Sequence, residues 1–173
     1  SQTFDAQNNV TSQLAESYAN GSWLNVGRGL YVYVGNYPIT VETQTWVAGS
    51  WEKNRRKVNT PNTAGLDSIT IEQVWDGATF VNETMYQFEY NNDGKITLET
   101  YAEWVAGAWK NINRIARTYN AAGATMLYLT QNWDGSNWEN SNRYVYTFHN
   151  NQTIADTVIA QMWVANAWSN SSL

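Results

Sequence analysis

The chain has no cysteine, only one histidine and two prolines in 173 residues. Without cysteine there are no disulfides, no thiolate nucleophile and no Cys-based metal site. The lone histidine, His149, stands where other parts of the chain carry Asp5, Asn91 or Asn120, so it reads as a turn residue. No His–Asp–Ser constellation is possible away from it, and nothing resembles a phosphate loop or a nucleophile elbow. Charge is sparse as well. Ten basic residues against fifteen acidic ones give a net charge of -5. They form no basic stripe, which argues against nucleic acid as a partner. No apolar run approaches the ~18 residues of a spanning helix, so no membrane insertion is expected. The segment Asn91-Asn-Asp-Gly94 is too poor in carboxylates, and lacks the terminal Glu, to be a Ca²⁺ loop. Glu99 and Glu103 share one strand face and read as a solvated surface pair, since a glycosidase acid needs a pocket that raises its pKa. No catalytic residue, cofactor or metal is therefore expected, and the chain reads as a non-enzyme.

What is abundant is aromatic. Ten Trp, eleven Tyr and four Phe sit among many Asn, Thr, Ser and Ala. That much apolar area excludes a disordered chain. Trp, Tyr and Thr favour pleated, half-buried surfaces over helices. Surfaces rich in Asn, Thr and Trp but poor in Lys and Glu point to a secreted or cell-surface location. A chain that starts at Ser1 without a signal peptide fits a mature secreted protein or a cytosolic one.

The aromatics are periodic. Trp46-Val-Ala-Gly49-Ser-Trp51, Trp75-Asp-Gly77-Ala-Thr-Phe80 and Trp104-Val-Ala-Gly107-Ala-Trp109 are followed by Trp133-Asp-Gly135-Ser-Asn-Trp138 and Trp163-Val-Ala-Asn166-Ala-Trp168. A diverged first copy reads Tyr18-Ala-Asn-Gly21-Ser-Trp23. The first aromatics fall at 18, 46, 75, 104, 133 and 163, a spacing of 28 to 30 residues, and all ten Trp occupy these slots. Such self-similarity marks a repeat architecture. Two residues after the second aromatic stands Asn25, Asn82, Asn111, Asn140 or Asn170, with Lys53 the exception. Five residues after it stands Arg28, Arg56, Arg114 or Arg143. A second turn signal follows at Asp5–Asn9, Asn62–Gly65, Asn91–Gly94, Asn120–Gly123 and residues 149–152. It is usually preceded by an aromatic (Phe4, Tyr33, Tyr90, Tyr119, Phe148).

Each unit thus has two Asn/Asp/Gly turns, which supply positive φ cheaply, and two runs of about ten residues. Ile96, Leu98, Thr100, Ala102 and Trp104 recur at period two, the period of a strand. Val10 to Tyr18 is the one stretch that could pass for a helix, and its place in the repeat makes it a strand. The two aromatics of each pair are expected to face each other across a hairpin, clamping it. The alternative role for them is a ladder of stacking platforms for sugar rings.

The segment Tyr86-Gln-Phe88-Glu-Tyr90-Asn-Asn-Asp-Gly94-Lys-Ile-Thr, followed by Trp104-Val-Ala-Gly107-Ala-Trp109-Lys-Asn111, resembles tandem β-hairpin repeats of secreted and cell-surface proteins of the Bacteroidota. The Tyr-x-Tyr-Asn-x-x-Gly part is similar, more distantly, to the YD repeats of RHS proteins. The resemblance implies strips of β-hairpins and export by the type IX secretion system, although the C-terminal sorting domain such proteins often carry is not visible. It implies no single activity.

The expected fold is all-β, an antiparallel up-and-down meander of six hairpin repeats with about twelve strands, curled or closed. An open twisted sheet rarely exceeds ~10 strands. One repeat domain is expected over residues 1–173, with units starting near 18, 46, 75, 104, 133 and 163 and terminal half-units at 1–17 and 168–173. The half-strands Ser1–Phe4 and Trp168–Leu173 add up to nearly one full strand. They would meet within one molecule to close a barrel, or join molecules head to tail into a filament. The expected function is a non-catalytic extracellular structural or adhesive protein that self-assembles, with carbohydrate binding as the alternative. Its partners would be further copies of itself or surface glycans. The surface expected to serve either role comprises Phe4, Trp23, Trp46, Trp51, Trp75, Trp104, Trp109, Trp133, Trp138, Trp163, Trp168 and Leu173.

Overall fold

The structure, a computed structural model, describes residues 1–149 and 153–171. Thirteen antiparallel strands form one sheet in strict chain order, with no helix among the described residues. They are β1 (Gln2–Phe4), β2 (Val10–Ala19), β3 (Ser22–Val34), β4 (Tyr37–Val47), β5 (Ser50–Pro61), β6 (Asp67–Trp75) and β7 (Phe80–Tyr90). There follow β8 (Ile96–Val105), β9 (Ala108–Tyr119), β10 (Thr125–Trp133), β11 (Trp138–Thr147), β12 (Thr157–Val164) and β13 (Ala167–Asn170). The chain divides into two compact units, Ser1–Met85 and Tyr86–Leu173. The all-β meander is as the sequence implies, and Val10–Ala19 is a strand. The closed alternative is not formed: β1 and β13 end the strand order, each with one neighbour. The turn at residues 149–152 and Leu173 lie wholly or partly outside the described residues.

Two kinds of turn alternate. At the aromatic end, Val47 pairs with Ser50 and Trp46 with Trp51 around the two-residue loop Ala48-Gly49. Both loop residues have positive φ, 47° and 93°, which is the twist-matched type I′ pattern. In the Trp-Asp-Gly copies the glycine moves one place forward and Gly77 alone takes positive φ, with Asp76 N–H donating to the Thr79 carbonyl. That makes 76/79 a hydrogen-bonded pair. Ladder alternation then puts the aromatics one step out at a non-hydrogen-bonded pair, where side chains stand closest.

At the far end, Asn62 donates its N–H to Leu66 O, and its Oδ1 accepts from Ala64 and Leu66 N–H. Gly65, at φ 78°, donates back to Asn62 O. Asn91 and Asp5 repeat this arrangement, with Asn8 at φ 65° standing in for the glycine in the Asp5 turn. The side-chain oxygen satisfies loop N–H groups that would otherwise face water, which is why Asx opens each of these turns.

Neither unit has a thick core. The buried side chains are Gln44, Asn59 and Thr70 in the first unit and Ala102 and Ala160 in the second, and no large side chain among the described residues is fully buried. The strands hold together along the sheet, through cross-strand pairs on both faces, rather than across a second layer.

Candidate functional site

Six aromatic rungs line one end of the strands. Tyr18–Trp23, Trp46–Trp51 and Trp75–Phe80 belong to the first unit. Trp104–Trp109, Trp133–Trp138 and Trp163–Trp168 belong to the second. In each the ring centroids are 4.9–5.2 Å apart and the planes meet at 61–69°, an edge-to-face contact. Such a pair contributes ~0.5–1.5 kcal/mol beyond its buried area. Each pair thus meets across its own hairpin, as clamping requires.

The arginine column builds on this. Arg28, Arg56, Arg114 and Arg143 each pair across strands with Gln44, Gln73, Gln131 and Gln161. In every case Nε donates to the Gln Oε1, at 2.7–2.8 Å. The same guanidinium lies over the second aromatic of the following rung, with Cζ 4.7 Å from Trp51, 4.3 Å from Phe80, 4.7 Å from Trp138 and 4.4 Å from Trp168. The Gln is in turn held by the asparagine column: Gln73, Gln131 and Gln161 donate from Nε2 to Asn82, Asn140 and Asn170, at 2.8–2.9 Å. Where Lys53 replaces that asparagine, Gln44 donates to Glu42 instead and Lys53 Nζ lies 4.6 Å over Trp75.

A β-bulge makes this geometry possible. Offsets of two and five residues from the second aromatic should point to opposite faces of a regular strand. One extra residue after the Asn or Lys slot (Val26, Asn54, Ile112 and Ser141) restores the arginine to the aromatic face. The sequence showed the Arg and Asn columns as recurring positions. The glutamine column two residues before the first aromatic went unread, although Gln44, Gln73, Gln131 and Gln161 repeat at the same period. Two slots depart from the scheme: Met85 stands in the Arg column and Ala102 in the Gln column.

The opposite face carries its own contacts. In the second unit, Arg117 pairs with Glu99 at 2.8 Å and lies 5.2 Å over Tyr128, which meets Tyr144 edge-on at 6.2 Å. Tyr101 donates its hydroxyl to Glu103 and packs against Tyr86. Glu99 is thus an ion-pair partner rather than a free surface carboxylate. In the first unit Arg55 pairs with Glu83 beside an open hollow lined by Val41, Thr43, Lys57 and Glu72.

The acidic groups that depart from ordinary carboxylate behaviour are turn residues. Thr79 and Ala78 N–H groups donating to Asp76 hold its carboxyl below the usual value, and Asn137 and Ser136 do the same for Asp134. Asp5 is lowered by Asn9, through its side-chain amide and then its backbone N–H. Burial raises Asp67. No group of three or more His, Cys, Asp or Glu among the described residues is placed to hold a metal ion.

The residues expected to form one surface therefore fall into three sets. The ten Trp stand in rungs, four of whose second rings are covered by a guanidinium of the same sheet. Phe4 lies apart from them at the far end of β1, half exposed and opposite Val10. Leu173 lies outside the described residues. The least covered rung is the first, where Tyr18 is 63% and Trp23 67% exposed.

No family model and no curated protein matches the chain. Among solved structures it is similar to a DUF3836 family protein from Bacteroides vulgatus, at 19% identity and a TM-score of 0.42, covering 51% of this chain and 91% of that one. It is also similar to a protein of unknown function from Bacteroides fragilis, at 17% identity and a TM-score of 0.46, covering 77% and 88%. A porin-like protein from Bacteroides uniformis matches at 12% identity and a TM-score of 0.40, covering 98% and 84%.

Proposed function

We propose that this chain is a non-catalytic structural or adhesive β-repeat protein, secreted or displayed at a cell surface, which associates with further copies of itself through its strand edges. The observation that carries the reading is the arginine–glutamine–aromatic ladder. In four of the six rungs an aromatic face is filled by a cation of the same sheet, so the repeat uses those faces to hold hairpin to hairpin. A row of open platforms for an extended glycan would leave those faces bare. The resemblance to Bacteroidota surface repeats agrees with this reading.

The edges supply the route. β1 covers Val10–Gln13 of β2, and Ser1 bonds to Leu14 in both directions, but Ala15–Ala19 has no outer partner strand among the described residues. β13 covers Gln161–Val164 of β12, and Ser171 N–H reaches Ala160 O, which leaves Thr157–Ile159 without an outer partner among the described residues. Unpaired N–H and C=O groups of this kind template added strands. Sedimentation velocity over a wide concentration range, with negative-stain images of the concentrated sample, tests the reading. Concentration-dependent association, altered by deleting Ser1–Phe4, is the expected result. A strict monomer at high concentration overturns it.

A second reading, glycan binding at the aromatic rungs, is favoured only by the exposed Tyr18–Trp23 rung. It predicts hits on a glycan array that vanish in Trp23→Ala and persist in Trp138→Ala.

A further inference from the structure

The first unit carries a hollow on the sheet face opposite the aromatic rungs. Counting from the second aromatic of a pair, the fourth and sixth residues flank the arginine slot and so point to this face. In four hairpins they are Arg55 and Lys57, Thr84 and Tyr86, Asn113 and Ile115, and Asn142 and Tyr144. After Trp23 they are Gly27 and Gly29. Neither glycine has positive φ, so no turn requires them, and what they provide is room. Gly27 pairs with Ala15 and Thr45, and Gly29 with Gln13 and Thr43, which keeps the floor low over three strands. Tyr31 lies down into that space. A Cβ at Gly29 would stand 3.0 Å from its Oη and 3.2 Å and 3.3 Å from two of its ring carbons. Its half-buried ring pairs with no other ring and lies under no cation among the described residues.

The far wall is cationic. Four of the chain's ten basic residues fall between 53 and 57, and the bulge at Asn54 divides them. Lys53 and Arg56 turn to the rungs, over Trp75 and Phe80. Arg55 and Lys57 turn to the opposite face, where Arg55 stands across from Thr43 and Lys57 across from Val41. Val41 is in turn across from Tyr31, so ring and ammonium face each other over two strand spacings, ~10 Å. Thr43 lines the hollow on the tyrosine side and the hollow on the cation side, which makes one trough of the two. Arg55 is paired with Glu83 but exposed. Lys57 has Glu72 across from it and makes no ion pair among the described residues.

These walls fit one kind of molecule. A pyranose ring presents a flat face of C–H bonds, which packs on an aromatic face, and a rim of hydroxyls for groups such as Gln13 and Thr43. A uronic acid adds a carboxylate, which a lysine and an arginine attract and bond more strongly than they would a hydroxyl. We propose that this trough binds an acidic glycan, with one uronic acid ring lying on Tyr31 and its carboxylate turned to Lys57 and Arg55. The surface lies away from the strand edges and from the first rung, so it goes beyond the self-association reading and is tested apart from it.

The test titrates the intact chain, by isothermal calorimetry, with a hexamer of galacturonic acid and with the carboxyl-reduced form of the same hexamer. The acid should bind saturably and more weakly as salt rises, and the reduced form at least fivefold more weakly. Gly27→Asn fills the floor with the residue that Asn113 and Asn142 supply at the same slot. A Cβ there meets only the Gln44 carbonyl oxygen, at 3.4 Å, so the sheet tolerates it. Gly27→Asn and Tyr31→Ala should each weaken binding at least tenfold and Lys57→Gln several-fold, while Trp23→Ala leaves it unchanged. Circular dichroism checks that each variant keeps its sheet. Equal affinity for the two hexamers, or full binding by Gly27→Asn, overturns the proposal. Loss of binding in Trp23→Ala with none in Tyr31→Ala also overturns it, because the sugar then sits on the first rung. So does failure of the acid to bind at millimolar concentration, and sedimentation velocity still decides self-association independently.

Discussion

Three alanines, Ala48, Ala106 and Ala165, sit in the left-handed region with φ of 47°, 53° and 49°. For an L-residue with a Cβ this costs ~1–2 kcal/mol, and only the geometry of a type I′ turn repays it. The first repeat uses Asn20 at the same place, at φ 52°. Ala48→Asn and Ala106→Asn should therefore each stabilise the protein by up to ~1 kcal/mol, read as a higher urea midpoint at unchanged m-value. The position of these turns was legible, because Gly and Asn between paired aromatics mark them. The strained alanine was not, since the neighbouring glycine accounts for one positive φ and a type I′ turn needs two. The turn aspartates make a second prediction. Asp76 and Asp134 have carboxyls held below their ordinary value of 3.8 by loop N–H groups. Their contribution is present above pH 3.8 and is lost as pH falls through the lower folded-state value. Asp67, raised by burial, has the opposite sign and weakens the fold as pH rises above 3.8. Replacing both turn aspartates by Asn keeps the acceptor and removes the charge. Thermal melts of this double variant should lose less stability between pH 4 and pH 2 than those of the parent, and equal losses would contradict the assignment.

At the scale of strands, the rule of alternation failed at one recurring place. An odd offset of five from an aromatic reads as the opposite face, and nothing in residues such as Val26, Asn54, Ile112 or Ser141 announces a bulge. The bulge residues share no chemistry; what they share is their place between two ladder registers. The arginine and asparagine columns were legible as ladder positions, but their common partner, the glutamine, was not. Arg114→Met should be costly, since Gln131 keeps its bond to Asn140 but loses the charged donor at 2.7 Å, and Trp138 loses its cover. Bonds to a charged group contribute ~1.5–3 kcal/mol and a partly exposed cation–π contact ~0.5–1 kcal/mol. Adding Gln131→Ala should cost less than the two single changes summed, with a coupling of ~0.5–3 kcal/mol for groups in one network. Denaturant midpoints of the two single variants and the double variant close this cycle, and strict additivity would show that the bond is incidental.

For the molecule as a whole, the sequence argues that aromatics on both strand faces need a cover or a ligand, and hence for curling or closure. The sheet is not closed, and part of that need is met within it. Rings pack edge to face within a hairpin, and in four of the six rungs a cation of the same sheet lies over a ring, so much of the apolar face is shielded sideways. A sequence pattern records which face a residue occupies, and it says nothing of whether the cover comes from above or alongside. This arrangement has a thermodynamic signature. A core shared by many strands makes them unfold together, whereas contacts confined to neighbouring strands let the sheet open from an edge, strand by strand. Native-state hydrogen exchange read by mass spectrometry at rising urea separates the two cases. In the first unit, protection should climb from β1 and β2 towards β5 and β6. In the second it should fall from β8 and β9 towards β12 and β13, whose outer edges are least covered. Trp46→Ala should lower protection in β4, β5 and their immediate neighbours while leaving the rest of the first unit unchanged. If instead every strand of a unit exchanged with one common free energy, and the Trp46 variant shifted all of them equally, the unit would be a single cooperative body. The neighbour-to-neighbour ladder would then not be what holds it.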